Sequence, residues 1–152
     1  MNKDAIIRHK VGLKLSQVGM LSKVFAMQSF VNGECNITPE QYTVLNALSE
    51  SEWLYQRQIS AITLKDRANI TRIINILEKR GYIKKVVDTT SRKIHKIYIT
   101  EEGKKVRNKV LPIILNIWAM TSENISEDEM DKFIETLDKI RENLINKTTL
   151  QL

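Results

Sequence analysis

Arg72 and Asn75 stand three residues apart in the stretch ANITRIINILEKRGYI, which runs from Ala68 to Ile83. Each side chain can make paired hydrogen bonds to one base edge: Arg to O6 and N7 of guanine, Asn to N6 and N7 of adenine. Thr71, beside them, can bond a phosphate or touch a thymine methyl. On a helix advancing about 100° per residue, Ile73, Ile74 and Leu77 fall within about 60° of Ile70 and make an apolar stripe. Ala68, Arg72, Asn75 and Lys79 fall opposite, with Asn69 and Thr71 flanking them. A helix that only fills a core needs the stripe alone. The plain alternative for the far side is a set of ordinary solvent-facing polar residues.

Charge surrounds this helix. From Lys65 to Lys109 there are 14 Lys/Arg against 5 Asp/Glu, whereas the rest of the 152-residue chain has 10 against 13. A basic block between mildly acidic flanks suits a polyanion-binding surface mounted on a separate scaffold. Lys65 and Arg67 lie at the N-terminal side of the helix. Lys84, Lys85 and Lys96 lie on a following β-hairpin, YIKKVV then KIHKIYIT, whose basic tip from Thr89 to Lys93 includes Ser91, Arg92 and Lys93. A basic hairpin beside a reading helix can lay an arginine into the neighbouring minor groove.

The elements that must position these residues are mostly helical, as five glycines and two prolines suggest. Apolar residues from Ile7 to Phe30 recur at helical spacing, predicting a long first helix from about Asp4 to Val31. Thr38, Pro39 and Gln41 make a capping box with proline at the first helical position. A short, poorly capped helix follows from about Arg57 to Leu64, with Ile59, Ile62 and Leu64 expected to point inward. Asp66 is the N-cap of the reading helix, and Gly81 ends it. After the hairpin, Thr100 starts a long helix to about Met120, with a kink or break expected at Pro112. SEDE from Ser126 caps a last helix bearing Met130, Phe133, Ile134, Leu137, Ile140 and Leu144 at helical spacing. A helix–turn–helix followed by a hairpin is the plan of a winged helix. The first and last helices then carry more apolar surface than one small lobe can cover.

Four marks in this order resemble the MarR family of bacterial winged-helix transcription regulators. They are T-P-x-Q-[FY] at Thr38 to Tyr42, T-R-[IL]-[IV]-x-x-L-E-[KR]-[KR]-G at Thr71 to Gly81, D-x-x-x-R-[KR] at Asp88 to Lys93, and [IL]-T-x-x-G at Ile99 to Gly103. The resemblance covers about residues 35–110 by motif and the whole chain by element order. It implies a single domain over residues 1–152, mostly α with a small β-hairpin wing. The DNA-binding lobe would span about 38–100, and a helical dimerisation region about 4–32 and 101–147. It further implies a homodimer on a pseudo-palindromic site, half-site centres about one duplex turn apart. Asn69, Thr71, Arg72 and Asn75 would then face the major groove and Arg92 the minor groove. Lys65, Arg67, Lys84, Ser91 and Lys93 complete the expected DNA-binding set. A repressor released by a small-molecule effector, whose pocket lies between the dimer helices and the lobe, is the family pattern. Three features depart from it: Ser91 replaces the acid that usually precedes the wing arginine, Thr89 replaces the usual wing proline, and the short third helix opens with YQRQIS in place of a Ser or Thr cap and an acid–Leu–Ala run.

Other chemistries have weaker marks. Cys35 excludes an internal disulfide and suits a reducing cytoplasm. A redox-sensing role is an alternative, but Glu34 beside it would not lower a thiol pKa. His9 and His95 share no metal-ligand spacing, so no metal or cofactor is expected. No catalytic triad, phosphate loop or carboxylate pair points to an enzyme. No apolar run approaches the roughly 20 residues of a membrane span, and MNKDAIIRHKVG is no signal peptide. Phe25, Met27, Tyr42, Trp53 and Trp118 could line an effector pocket, although aromatics at such positions are more often core. A winged-helix protein-interaction module without DNA binding is the other alternative.

Overall fold

A computed structural model describes residues 2–148, with the side chains of 91–93 outside the described part. Helix α1 spans Lys3–Asn32, α2 Pro39–Ser49, α3 Gln56–Thr63, α4 Arg67–Lys79, α5 Glu101–Thr121 and α6 Glu127–Ile145. Strands β1 (Leu54–Tyr55), β2 (Ile83–Asp88) and β3 (Ser91–Ile99) form an antiparallel sheet in the order β1-β3-β2. Local chemistry sets most of the boundaries. The Thr38 hydroxyl accepts the Gln41 N–H, and the Gln41 side chain accepts the Thr38 N–H, each at 3.2 Å. Ser126 and Glu129 repeat the box at α6. Asp66 caps α4 by accepting the Asn69 N–H at 2.9 Å. Gly81, at φ 74°, makes the left-handed step that turns the chain from α4 into β2.

Three expectations need correction. The hairpin is a three-stranded sheet, because Leu54 and Tyr55 pair with Ile97 and Lys96 of β3. A two-residue strand shows no alternation, so only its tertiary partner reveals it. Ile62 and Leu64 point outward, 58% and 53% exposed. The buried arc of α3 is centred between Ile59 and Ser60, which leaves Ile62 about 110° away on the wheel, and Leu64 has left the helix at φ 52°. Of the kink or break expected at Pro112, the break is absent: α5 runs through it from Glu101 to Thr121.

The core gathers Val44, Leu45 and Leu48 of α2, Ile59 of α3, Ile70, Ile73, Ile74 and Leu77 of α4, and Ile83 and Ile97 of the sheet. Phe30 of α1 meets Tyr42 edge to face at 6.3 Å, and Val110 and Ile117 bring α5 to the same core. Arg107 of α5 donates two bonds to Asn46 Oδ1 of α2, at 3.1 and 2.8 Å. The rest of α1, α5 and α6 is different. α6 buries no residue, and Val18, Met20, Leu21, Trp118, Phe133, Ile134 and Leu144 are all exposed.

Gly103 explains the last of the four sequence marks. Its N–H bonds the Thr100 hydroxyl at 3.1 Å, and a Cβ there would overlap the Tyr82 carbonyl and lie 2.9 Å from Ile99 Cγ1. In an open helix, Gly→Ala would stabilise by about 1 kcal/mol. Here the collision is with backbone, so Gly103→Ala should destabilise by about 1–3 kcal/mol. Urea unfolding at fixed protein concentration measures it, and an unmoved or raised midpoint would refute the packing argument.

Candidate nucleic-acid interface

α4 is divided as its wheel predicts. Ile70, Ile73, Ile74 and Leu77 are at most 1% exposed, whereas Arg67, Ala68, Thr71, Arg72, Asn75 and Lys79 are exposed and Asn69 is half-buried. Lys65, just before the helix, is half-buried too. Ile76 is neither anchor nor open surface; it lies half-buried between the two faces.

The outward side chains are tied to one another and to their neighbours. Arg72 Nη2 donates to Asn69 Oδ1 at 3.1 Å. Asn69 therefore steadies the guanidinium fork, which retains further donors. The Thr71 hydroxyl donates to the Arg67 carbonyl at 2.8 Å and accepts from Gln56 Nε2 at 2.6 Å. A hydroxyl has one proton, so Thr71 has none left for a phosphate oxygen. Of the two contacts expected of it, the thymine methyl contact is the one its geometry leaves open. Asn75 Oδ1 accepts from Lys85 Nζ at 3.0 Å, and Lys85 also pairs with Glu78 at 2.7 Å.

β2 and β3 stand beside α4, and a cleft of about 760 Å³ separates them. Gln56, Thr71, Asn75, Lys85, Asp88 and His95 are among its lining residues. Successive strand residues face opposite ways. Lys85 faces α4, so Lys84 faces away; its ammonium lies 5.3 Å from the centre of the Tyr98 ring. The structure thus does not bring Lys84 to the α4 face. Lys96 lies 4.4 Å from the Trp53 ring centre. The backbone of Ser91, Arg92 and Lys93 opens β3, while their side chains lie outside the described residues.

The turn that presents them is organised by Asp88, which is only 4% exposed. Its carboxylate accepts the Thr90 N–H and the Thr90 hydroxyl, each at 2.9 Å, and the Tyr55 hydroxyl. These bonds, the Thr90 N–H foremost, hold the Asp88 pKa down to about 2, and the bond to Asp88 raises the Tyr55 phenol. A carboxyl whose folded pKa is depressed stabilises the fold above its unfolded value and loses that contribution as pH falls through the folded one. The turn should therefore hold at pH 4 and open as pH drops toward about 2. The Thr90 amide resonance, followed by NMR, should titrate in that window. If it titrates instead near the ordinary carboxylate value, these bonds do not form.

Sequence reasoning missed Gln56, the Asn75-directed role of Lys85, and the Tyr55–Asp88 link. Gln56 lies 15 positions from Thr71 and Tyr55 33 from Asp88, so no periodicity joins them. Among the proposed pocket aromatics, Tyr42 is core, Trp53 packs on Tyr55 and Trp118 is 56% exposed. The Cys35 thiol is half-buried, and burial raises its pKa despite Lys109 nearby. That opposes the thiolate a redox sensor needs. Among the described residues no helix is long and apolar enough to cross a membrane.

Helix–turn–helix, a following antiparallel hairpin and an outward polar face on the second helix define a winged-helix protein. Residues 36–94 match the sequence profile of the MarR family. The chain is 28% identical over 137 residues to the uncharacterized HTH-type transcriptional regulator YybA of Bacillus subtilis (strain 168), covering 86% of this chain and 87% of that one. CouR from Rhodococcus jostii RHA1, solved bound to p-coumaroyl-CoA, superposes with a TM-score of 0.75 at 25% identity, covering 86% of this chain and 90% of that one. A point mutant of MarR from E. coli, solved complexed with operator DNA, superposes at 0.78 with 14% identity, covering 86% and 93%. The match to the MarR family thus falls on the winged-helix lobe, from just before α2 into β3.

Proposed function

We propose that the chain is a homodimeric repressor that binds a pseudo-palindromic duplex, with α4 in the major groove and the hairpin at the neighbouring minor groove. The observation that carries this reading is the outward face of α4. Arg67, Arg72, Asn75 and Lys79 project from a helix whose opposite side is sealed into the core. A helix about 10–12 Å across fits a major groove about 12 Å wide. The operator complex of the E. coli MarR mutant, which shares the fold, supports the docking mode.

Two-fold assembly explains the uncovered helices. Exposed apolar patches of this extent mark interaction surfaces, and those on α1, α5 and α6 lie outside the DNA-binding lobe. A self-complementary interface would place two α4 helices on one side, about 34 Å apart for half-sites one turn apart. In this reading residues about 4–32 and 101–147 form the dimerisation region and about 38–100 the DNA-binding lobe. Release by a small-molecule effector fits the same reading, since the CouR structure holds p-coumaroyl-CoA.

Selection of bound duplexes from a random pool tests the proposal. Binding should weaken steeply with salt, as phosphate neutralisation requires. Arg72→Ala should relax base preference at one position in each half-site by about 1–3 kcal/mol. Failure of the parent to retain any duplex at low salt would favour a protein-interaction module instead. If Arg72→Ala selects the parent's motif unchanged, the assignment of the reading face is wrong.

A further inference from the structure

Lys85 is outside α4, yet it holds one of the residues with which α4 would read a base. Its ammonium lies 3.0 Å from Asn75 Oδ1 and 2.7 Å from Glu78 Oε2, and its side chain is only 25% exposed. An ammonium has donors and no acceptor, so the amide atom it faces must be the oxygen. The Asn75 amide is planar and otherwise free to flip, and the pairing with Glu78 keeps Lys85 in place to prevent it. With Oδ1 turned toward β2, the group that Asn75 presents outward is its NH2. Paired recognition of adenine requires the oxygen and the nitrogen together, one for N6 and one for N7. Guanine offers acceptors at both N7 and O6, which an outward NH2 satisfies. Adenine offers that NH2 only N7, and sets its own N6 donor beside it.

We propose that Lys85 is a specificity-determining positioning residue: by holding Asn75 Oδ1 it makes Asn75 read an acceptor edge, guanine before adenine. The inference rests on the DNA-binding reading above. It differs from a phosphate contact, because the Lys85 charge is already paired with Glu78.

Duplex selection on the parent, Asn75→Ala, Lys85→Met and Lys85→Arg tests it. The position whose preference flattens in Asn75→Ala identifies the base that Asn75 reads. The parent should select guanine there. Lys85→Met, which keeps the aliphatic stem and removes the ammonium, should swing the guanine-to-adenine ratio toward adenine by roughly tenfold. Lys85→Arg should keep guanine, and the salt slope should be unchanged in both. The inference is overturned if the parent selects adenine at that position, if Asn75→Ala flattens none, or if Lys85→Met retains guanine. It is also overturned if Lys85→Met only weakens all sequences alike while the salt slope falls by about one, the mark of a phosphate contact. If Lys85→Met does not fold, the parent and Asn75→Ala selections still decide. A parent that retains no duplex refutes DNA binding and this inference together, whereas a parent motif with adenine at that position refutes only the inference.

Discussion

Phe133→Glu combined with Ile134→Glu is expected, in the proposed two-fold assembly, to give a monomer and to lower affinity for a two-half-site duplex by about 10²–10⁴-fold. The two residues are 49% and 51% exposed on α6, a helix with no buried position. Neither contributes to the core that holds the winged-helix lobe. Two glutamates in a buried dimer interface would need to be desolvated without partners, which is strongly unfavourable. The monomer would keep one α4 and so one half-site. It would lose the second binding event that the dimer makes intramolecular. Sedimentation velocity gives the oligomeric state and a filter-binding titration gives the affinity. A double variant that stays dimeric, or a monomer with parental affinity, would remove the two-fold reading. The salt slope offers a separate check, since half the phosphate contacts should disappear with half the interface.

Ile74→Ala should cost about 2–5 kcal/mol of stability, the usual range for truncating a fully buried aliphatic side chain. Ile74 is 1% exposed and sits in the cluster that joins α4 to α2, α3 and the sheet. Arg72→Ala, two positions away and on the opposite face, should leave the unfolding midpoint nearly unchanged, because its bond to Asn69 is exposed. The pair of variants thus separates anchoring from reading on a single helix. Denaturant unfolding and duplex binding must respond in opposite patterns: Ile74→Ala in the first, Arg72→Ala in the second. Equal stability losses in both would mean that the two faces of α4 are not distinct.

Much of this was legible in the sequence because it is local. Capping boxes at Thr38 and Ser126, the Asp66 cap and the Gly81 terminator each depend on residues within one turn of one another. The isoleucine stripe of α4 is legible for the same reason: helical period alone determines which residues share a face. The family marks extend this reach, and Gly103 shows why one of them exists, since a side chain there meets the Tyr82 carbonyl. The errors fall where a second element decides. Ile62 has the right spacing to be buried, but α3 is turned by Ile59 and Ser60 toward the core. Pro112 is a helix breaker by chemistry, yet α5 is continuous through it, with Val110 and Ile117 buried in the core on either side.

The sequence by itself determined that α4 has an anchoring side and a polar side, that a basic hairpin follows it, and that the outer helices carry surplus apolar surface. These follow from period, capping and charge, which act over a few residues. Tertiary structure alone decided what each polar side chain of α4 has left to offer. Gln56 occupies Thr71, Asn69 steadies Arg72, Lys85 turns the Asn75 amide, and Tyr55 fixes the turn through Asp88. Three of these four partners come from other elements, because a hydrogen bond depends on distance in space, and separation along the chain carries no information about that distance.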